Sequence, residues 1–97
     1  MTEIRYRNDE VKSIEIKGHA NYNPGNDIVC ASCSILAYTL LNTLEVENIP
    51  YTVEEESGYM CIETTVNESE PYFKMVHLGY KSLAQNYPEN VRLIENF

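Results

Sequence analysis

Two stretches near the start of the chain alternate apolar and polar residues with period two: Thr2 to Arg7, and Val11 to Lys17, where Ile14 and Ile16 share a face. Asn8-Asp9-Glu10 between them has turn chemistry, so the pair predicts a hairpin. The period then changes. From Ile28 to Glu47, residues Val29, Cys33, Leu36, Leu40 and Leu44 recur at spacings of four, three, four and four, which draws one apolar stripe along a helix. Asn48-Ile49-Pro50 ends it, because proline lacks a donor and turns its predecessor away from helical angles. Tyr51 to Glu55 and Tyr59 to Val66 read as a second hairpin around Glu56-Ser57-Gly58. Ser69-Glu70-Pro71 offers a capping residue type and an early proline to a second helix, with Phe73, Val76, Tyr80, Leu83 and Tyr87 as its apolar face until Pro88. Residues 90–97 leave room for one short strand, with Val91 and Leu93 facing one way.

The order ββαββα, with that optional C-terminal strand, predicts an α+β domain in which two helices pack on a mostly antiparallel sheet. Its 97 residues form a single domain, 1–97, with one modest core. Two helices on one sheet leave the second sheet face, with Tyr59 and Cys61, in need of cover, which predicts a homodimer. No run approaches the roughly 20 apolar residues that cross a bilayer. Met1-Thr2-Glu3-Ile4-Arg5 carries no apolar leader, so a cytoplasmic location is expected, with no membrane partner.

Charge and cysteine usage narrow the function classes. Seven basic residues against fifteen acidic ones give a net charge of -8, with no basic cluster. Direct nucleic-acid binding needs cations to displace phosphate counterions, so this balance argues against it. A basic protein or peptide suits the charge better. Three cysteines without a leader point to reduced thiols, and an odd number leaves one unbridged in any case. Eight tyrosines exceed what one small core needs, so some are expected at a subunit interface or a peptide groove.

Among the cysteines, Cys30 is the best placed for chemistry. Asn26 and Asp27 are N-cap residue types immediately before the first helix, which puts Cys30 in its first turn. Unpaired amides and the positive end of the helix dipole favour a thiolate there, although a capping Asp27 carboxylate works against it. His19, at the end of the second strand, is the candidate base: imidazolium and thiolate stabilise each other, and the imidazole can later protonate a leaving amine. Ser34 lies one turn beyond Cys30 on the same face, a supporting hydroxyl or a solvated helix serine. Asp27 could also orient His19.

Other pairings are weaker. Cys30-Ala31-Ser32-Cys33 has the spacing of a thiol-disulfide oxidoreductase, but such sites directly follow an apolar strand, and Cys33 is accounted for by the apolar stripe. His77 flanks the apolar face of the second helix and reads as a boundary residue. Cys61 points opposite to Met60 and Ile62 and reads as packed. A zinc site through Cys30, Cys33, His19 and His77 lacks a second close-spaced ligand pair.

The stretch Gly18-His19-Ala20, a short loop, then Gly25-Asn26-Asp27-Ile28-Val29-Cys30-Ala31-Ser32-Cys33-Ser34 resembles the ribosomal-processing cysteine proteases, the Prp family. Chain length, element order and the ending Glu89-Asn90-Val91-Arg92-Leu93 extend the resemblance over essentially the whole chain. It implies Cys30 as nucleophile and His19 as base, with no metal or cofactor. It also implies a homodimer and removal of an N-terminal extension from a large-subunit ribosomal protein precursor. The loop departs from the family pattern. Asn21-Tyr22-Asn23-Pro24-Gly25-Asn26 is a residue shorter, less glycine-rich and stiffened by proline, which bears on substrate preference. Tyr22, Asn23, Pro24, Gly25 and Asn26 are therefore candidate substrate-loop residues, expected to be mobile until a peptide binds. A relative carried on a mobile element would trim a virus capsid or scaffold protein instead. The competing reading is a peptide-binding or dimerisation module in which His19 and Cys30 are relics.

Overall fold

The computed structural model describes residues 1–18 and 28–95. His19, Asp27 and the loop residues Tyr22 to Asn26 lie outside them. Five strands and two helices follow the order β1 (Thr2–Asn8), β2 (Lys12–Lys17), α1 (Ile28–Val46), β3 (Thr52–Glu56), β4 (Tyr59–Thr64), α2 (Glu70–Asn86) and β5 (Val91–Glu95). The expected C-terminal strand is real, and the architecture is ββαββαβ.

The strands form one mixed sheet in the order β3-β4-β2-β1-β5. Three neighbouring pairs are antiparallel, while β5 runs parallel to β1, with Val91 opposite Thr2 and Leu93 opposite Ile4. Both predicted hairpins form. Asn8 faces Lys12 across the first turn, where Asp9 Oδ1 accepts from the Val11 amide at 3.0 Å. Glu56 faces Tyr59 across Ser57-Gly58, and the positive φ of Gly58 (72°) is the angle that glycine adopts without steric cost.

One sheet face carries Ile4, Tyr6, Ile14, Met60, Ile62 and Val91, all buried. From α1, Val29, Cys33, Ala37, Leu40 and Leu44 join them, and from α2, Phe73, Val76 and Tyr80. The predicted stripes supply the core, with shifts: Ala37 takes the centre of α1, Leu36 sits on its rim against α2, and Leu83 and Tyr87 are half-buried at the edge of the core. A Cβ on Gly79 of α2 would stand 2.7 Å from Leu36 Cδ2, so glycine there lets the helices approach. The Tyr80 hydroxyl also donates to the Cys33 carbonyl at 2.9 Å, joining α2 to α1.

Three expectations need correction. Ser69 does not cap α2: it has helical angles, and its hydroxyl donates back to the Val66 carbonyl at 2.6 Å within a 3-10 turn over Asn67–Ser69. The membrane exclusion read from runs of residues is too strict, since α1 is 19 residues long with a mean hydropathy of 1.4, long and apolar enough to cross a bilayer by those measures. In this fold its core stripe is spent on the domain interior. The second sheet face does not need apolar cover. Arg5 pairs there with Glu3 at 2.8 Å and approaches Glu15 at 3.7 Å, Tyr59 donates to Glu15 at 3.0 Å, and Ser13 Oγ lies 3.7 Å from Cys61 Sγ. Side chains on this face satisfy one another, so covering it would bury charge.

Candidate active site

The site is built where the first turns of α1 meet one end of the sheet. The apolar stripe holds Val29 and Cys33 inward. Cys30, the next residue after Val29, is thereby rotated to the helix flank, where it is half-buried. Cys30 is the third described residue of α1, at the end of the helix where the dipole is positive. Ser34, one turn on, is exposed beside it, as the spacing predicts.

These two residues share a cavity of about 230 Å³. Cys33, Ala37 and Tyr38 complete its helical wall, while Thr2, Ile16 and Gly18 form the strand side. The turn joining β3 to β4 closes the third side through Glu55, Glu56, Gly58 and Tyr59, with Met60 beyond. The Tyr38 hydroxyl donates to the Glu55 carboxylate, tying α1 to β3 across the mouth, and that carboxylate raises the phenol's pKa.

Gly18 fixes the strand end from which the chain enters His19. Its amide donates to the Gly58 carbonyl at 2.8 Å, and its φ is +91°. A Cβ on it would stand 2.6 Å from the Met1 carbonyl oxygen, closer than real side chains approach backbone. Glycine is thus required by both angle and space, a stronger reason than the ease of turning that the sequence offers.

The remaining candidates separate cleanly. Cys33 is 4% exposed, so it serves the core and also meets the cavity floor. Cys61 is on the opposite sheet face, and burial pushes its thiol pKa up, which disfavours the reactive thiolate. His77 is a boundary residue: it stacks on Tyr6 with ring centroids 3.9 Å apart and contacts Glu95 at 2.6 Å. It does not line the cavity. Thr2, Tyr38 and Glu55 were not singled out from sequence. Thr2 reaches the cavity through the pairing of β1 with β2 beside Gly18, and Tyr38 and Glu55 through the approach of α1 to the second hairpin; neither is visible in local periodicity.

Comparison with known proteins covers the same ground. The family model described as cysteine protease Prp matches residues 1–92. A protein of Streptococcus mutans, SMU.848, is 31% identical with a TM-score of 0.74, over 98% of this chain and 91% of that one. The ribosomal processing protease Prp of Staphylococcus aureus, in complex with a covalently linked product peptide, is 24% identical with a TM-score of 0.86, over 99% of this chain and 100% of that one. The same protease with a substrate peptide gives 22% identity and a TM-score of 0.81, with coverage of 99% and 100%. These two likenesses speak for the fold. No curated protein matches the chain in sequence.

Proposed function

Since the chain belongs to the Prp family of cysteine proteases, we propose that it is an endopeptidase acting through Cys30 and His19. The observation that carries this reading is the position of Cys30 in the first turn of α1, on the wall of a cavity whose strand side ends at Gly18, the residue before His19. His19 takes the thiol proton, and the thiolate attacks the scissile carbonyl. The new C–S bond leaves a tetrahedral oxyanion, which amides at the start of α1 stabilise. As the C–N bond breaks, the imidazolium returns its proton to the leaving amine. Water then attacks the thioester with His19 again as base, releasing the acid and restoring the thiol.

In this proposal Asp27, a capping residue type, helps to orient His19, and Ser34 offers a hydroxyl beside the thiol. Tyr22, Asn23, Pro24, Gly25 and Asn26, between base and nucleophile, meet the substrate. The Staphylococcus aureus relative is described as a ribosomal processing protease. That description, with the acidic charge here, supports a basic ribosomal protein precursor as client, trimmed in the cytoplasm of a bacterium. A homodimer goes with the same resemblance.

The test is to incubate the purified protein with a large-subunit ribosomal protein precursor and read the products by mass. Cys30→Ala and His19→Ala should each lower cleavage at least ~1,000-fold, since each removes half of a unit that works only together, while their unfolding midpoints stay near wild type. Cys33→Ala and Cys61→Ala should keep activity. Loss of cleavage in Cys33→Ala without unfolding would favour the two-cysteine redox reading. An unperturbed Cys30 thiol, titrating near about 8.5, would favour the binding module.

A further inference from the structure

The edge strand β3 carries three consecutive glutamates, and the pleat of the sheet divides them between its two faces. Cross-strand partners share a face. Glu54 stands opposite Cys61 and Glu56 opposite Tyr59, on the open side, whereas Glu55 stands opposite Met60, which is buried towards the helices. Glu55 is therefore the glutamate of β3 that faces α1, where its Oε2 accepts from the Tyr38 hydroxyl. Both partners line the cavity that contains Cys30, so this bond sets the carboxylate on the cavity wall, and Glu55 is exposed to whatever enters there. The phenol is a neutral donor and orients the charge without cancelling it. Among the described residues no lysine or arginine lines the cavity, and none forms an ion pair with Glu55. A fixed negative charge also works against a thiolate in the same cavity. The chemistry at Cys30 gives no reason to keep it there, and a cationic group on the substrate does.

We propose that Glu55 is a specificity-determining residue, whose carboxylate pairs with a lysine or arginine side chain of the peptide near the scissile bond. A long cationic side chain is the matching chemistry, because a carboxylate that already accepts from one phenol keeps acceptor sites for charged N–H donors. Tyr38 holds the carboxylate in place before substrate arrives, which lessens the ordering that opposes an exposed ion pair. Selection then comes from one oriented charge and not from the net charge of -8. The inference rests on the proteolytic reading and deepens it, by naming the class of side chain that the Cys30 site selects.

The experiment uses peptides that span the cut found by mass in the ribosomal protein precursor, with lysine, alanine or glutamate placed in turn at each position flanking it. Wild type should prefer lysine to alanine about fivefold in kcat/KM at one of these positions, the selectivity that one exposed ion pair supplies. Glu55→Gln should bring that preference within about twofold with its unfolding midpoint near wild type, and Glu55→Lys should favour glutamate at the same position. Glu54→Gln, which removes an equal charge from the open sheet face, should keep the wild-type preference. A lysine preference that survives in Glu55→Gln, or is absent from wild type at every position, would overturn the proposal and leave the Cys30 mechanism standing. An equal loss of rate on lysine and alanine peptides would also overturn it, since Glu55 would then serve catalysis and not the choice of substrate. So would a matching loss of preference in Glu54→Gln, which would assign the selectivity to the overall acidic charge. If wild type itself leaves the precursor intact, the proteolytic reading falls and this one with it.

Discussion

At the scale of single residues, Gly18 shows how much a motif position can carry. Its amide bonds to the second hairpin, its φ is +91°, and the Met1 carbonyl occupies the space a side chain would need. Gly18→Ala should therefore cost about 2 kcal/mol or more in stability, with strain and the backbone clash both contributing. Chemical denaturation of the two proteins measures it, and a cost below about 0.5 kcal/mol would mean that β1 and β2 yield easily there. Of the site, Cys30 and Ser34 were legible because helical spacing and capping chemistry are local. Glu55 was not legible, since one glutamate of three in a strand looks ordinary until the fold sets it beside Tyr38 at the cavity. His19 and Asp27 fall outside the described residues, so their roles stay with the proposal.

At the scale of elements, the coupling of α1 to α2 is the joint that keeps Cys30 in place. Tyr80 is buried, and its hydroxyl donates to the carbonyl of Cys33, three residues beyond Cys30. Burial pushes its pKa well above the ordinary phenol value. Because the folded state holds this proton more tightly, the associated stability is fully present below about pH 10 and is lost as pH rises above it, where only the unfolded chain ionises. The slope is about 1.4 kcal/mol per pH unit for one such group. Unfolding midpoints between pH 9 and 11 should fall more steeply for wild type than for Tyr80→Phe, and equal slopes would assign the alkaline loss elsewhere. Sequence periodicity located both helices because each buries one stripe, and it missed the Ser69 arrangement because a serine before a helix can bond forward to an amide or back to a carbonyl with equal local logic.

At the scale of the whole molecule, the sequence foresaw the layers but not the character of the uncovered sheet face. Period-two alternation told which residues point away from the core, and it left open whether they need a partner. Here Arg5, Glu15, Tyr59 and Ser13 supply that to one another or to Cys61. Large exposed apolar side chains occur instead on the helices, at Ile35, Val46, Met75 and Leu78. The proposed homodimer should appear in light scattering at micromolar concentration as twice the 11.2 kDa chain mass. Glu15→Gln on the open sheet face should leave that mass unchanged. A mass of one chain would remove the dimer from the reading.

The parallel pairing of β1 with β5 has a consequence for synthesis. Thr2 receives its backbone partner from Asn90, almost the full sequence away, so β1, paired on one side with β2, keeps its other side open until β5 has been made. Contacts this distant in sequence close late in folding. A growing chain that has emerged only as far as α2 therefore holds every described residue of the Cys30 cavity but not the strand that secures the outer side of β1.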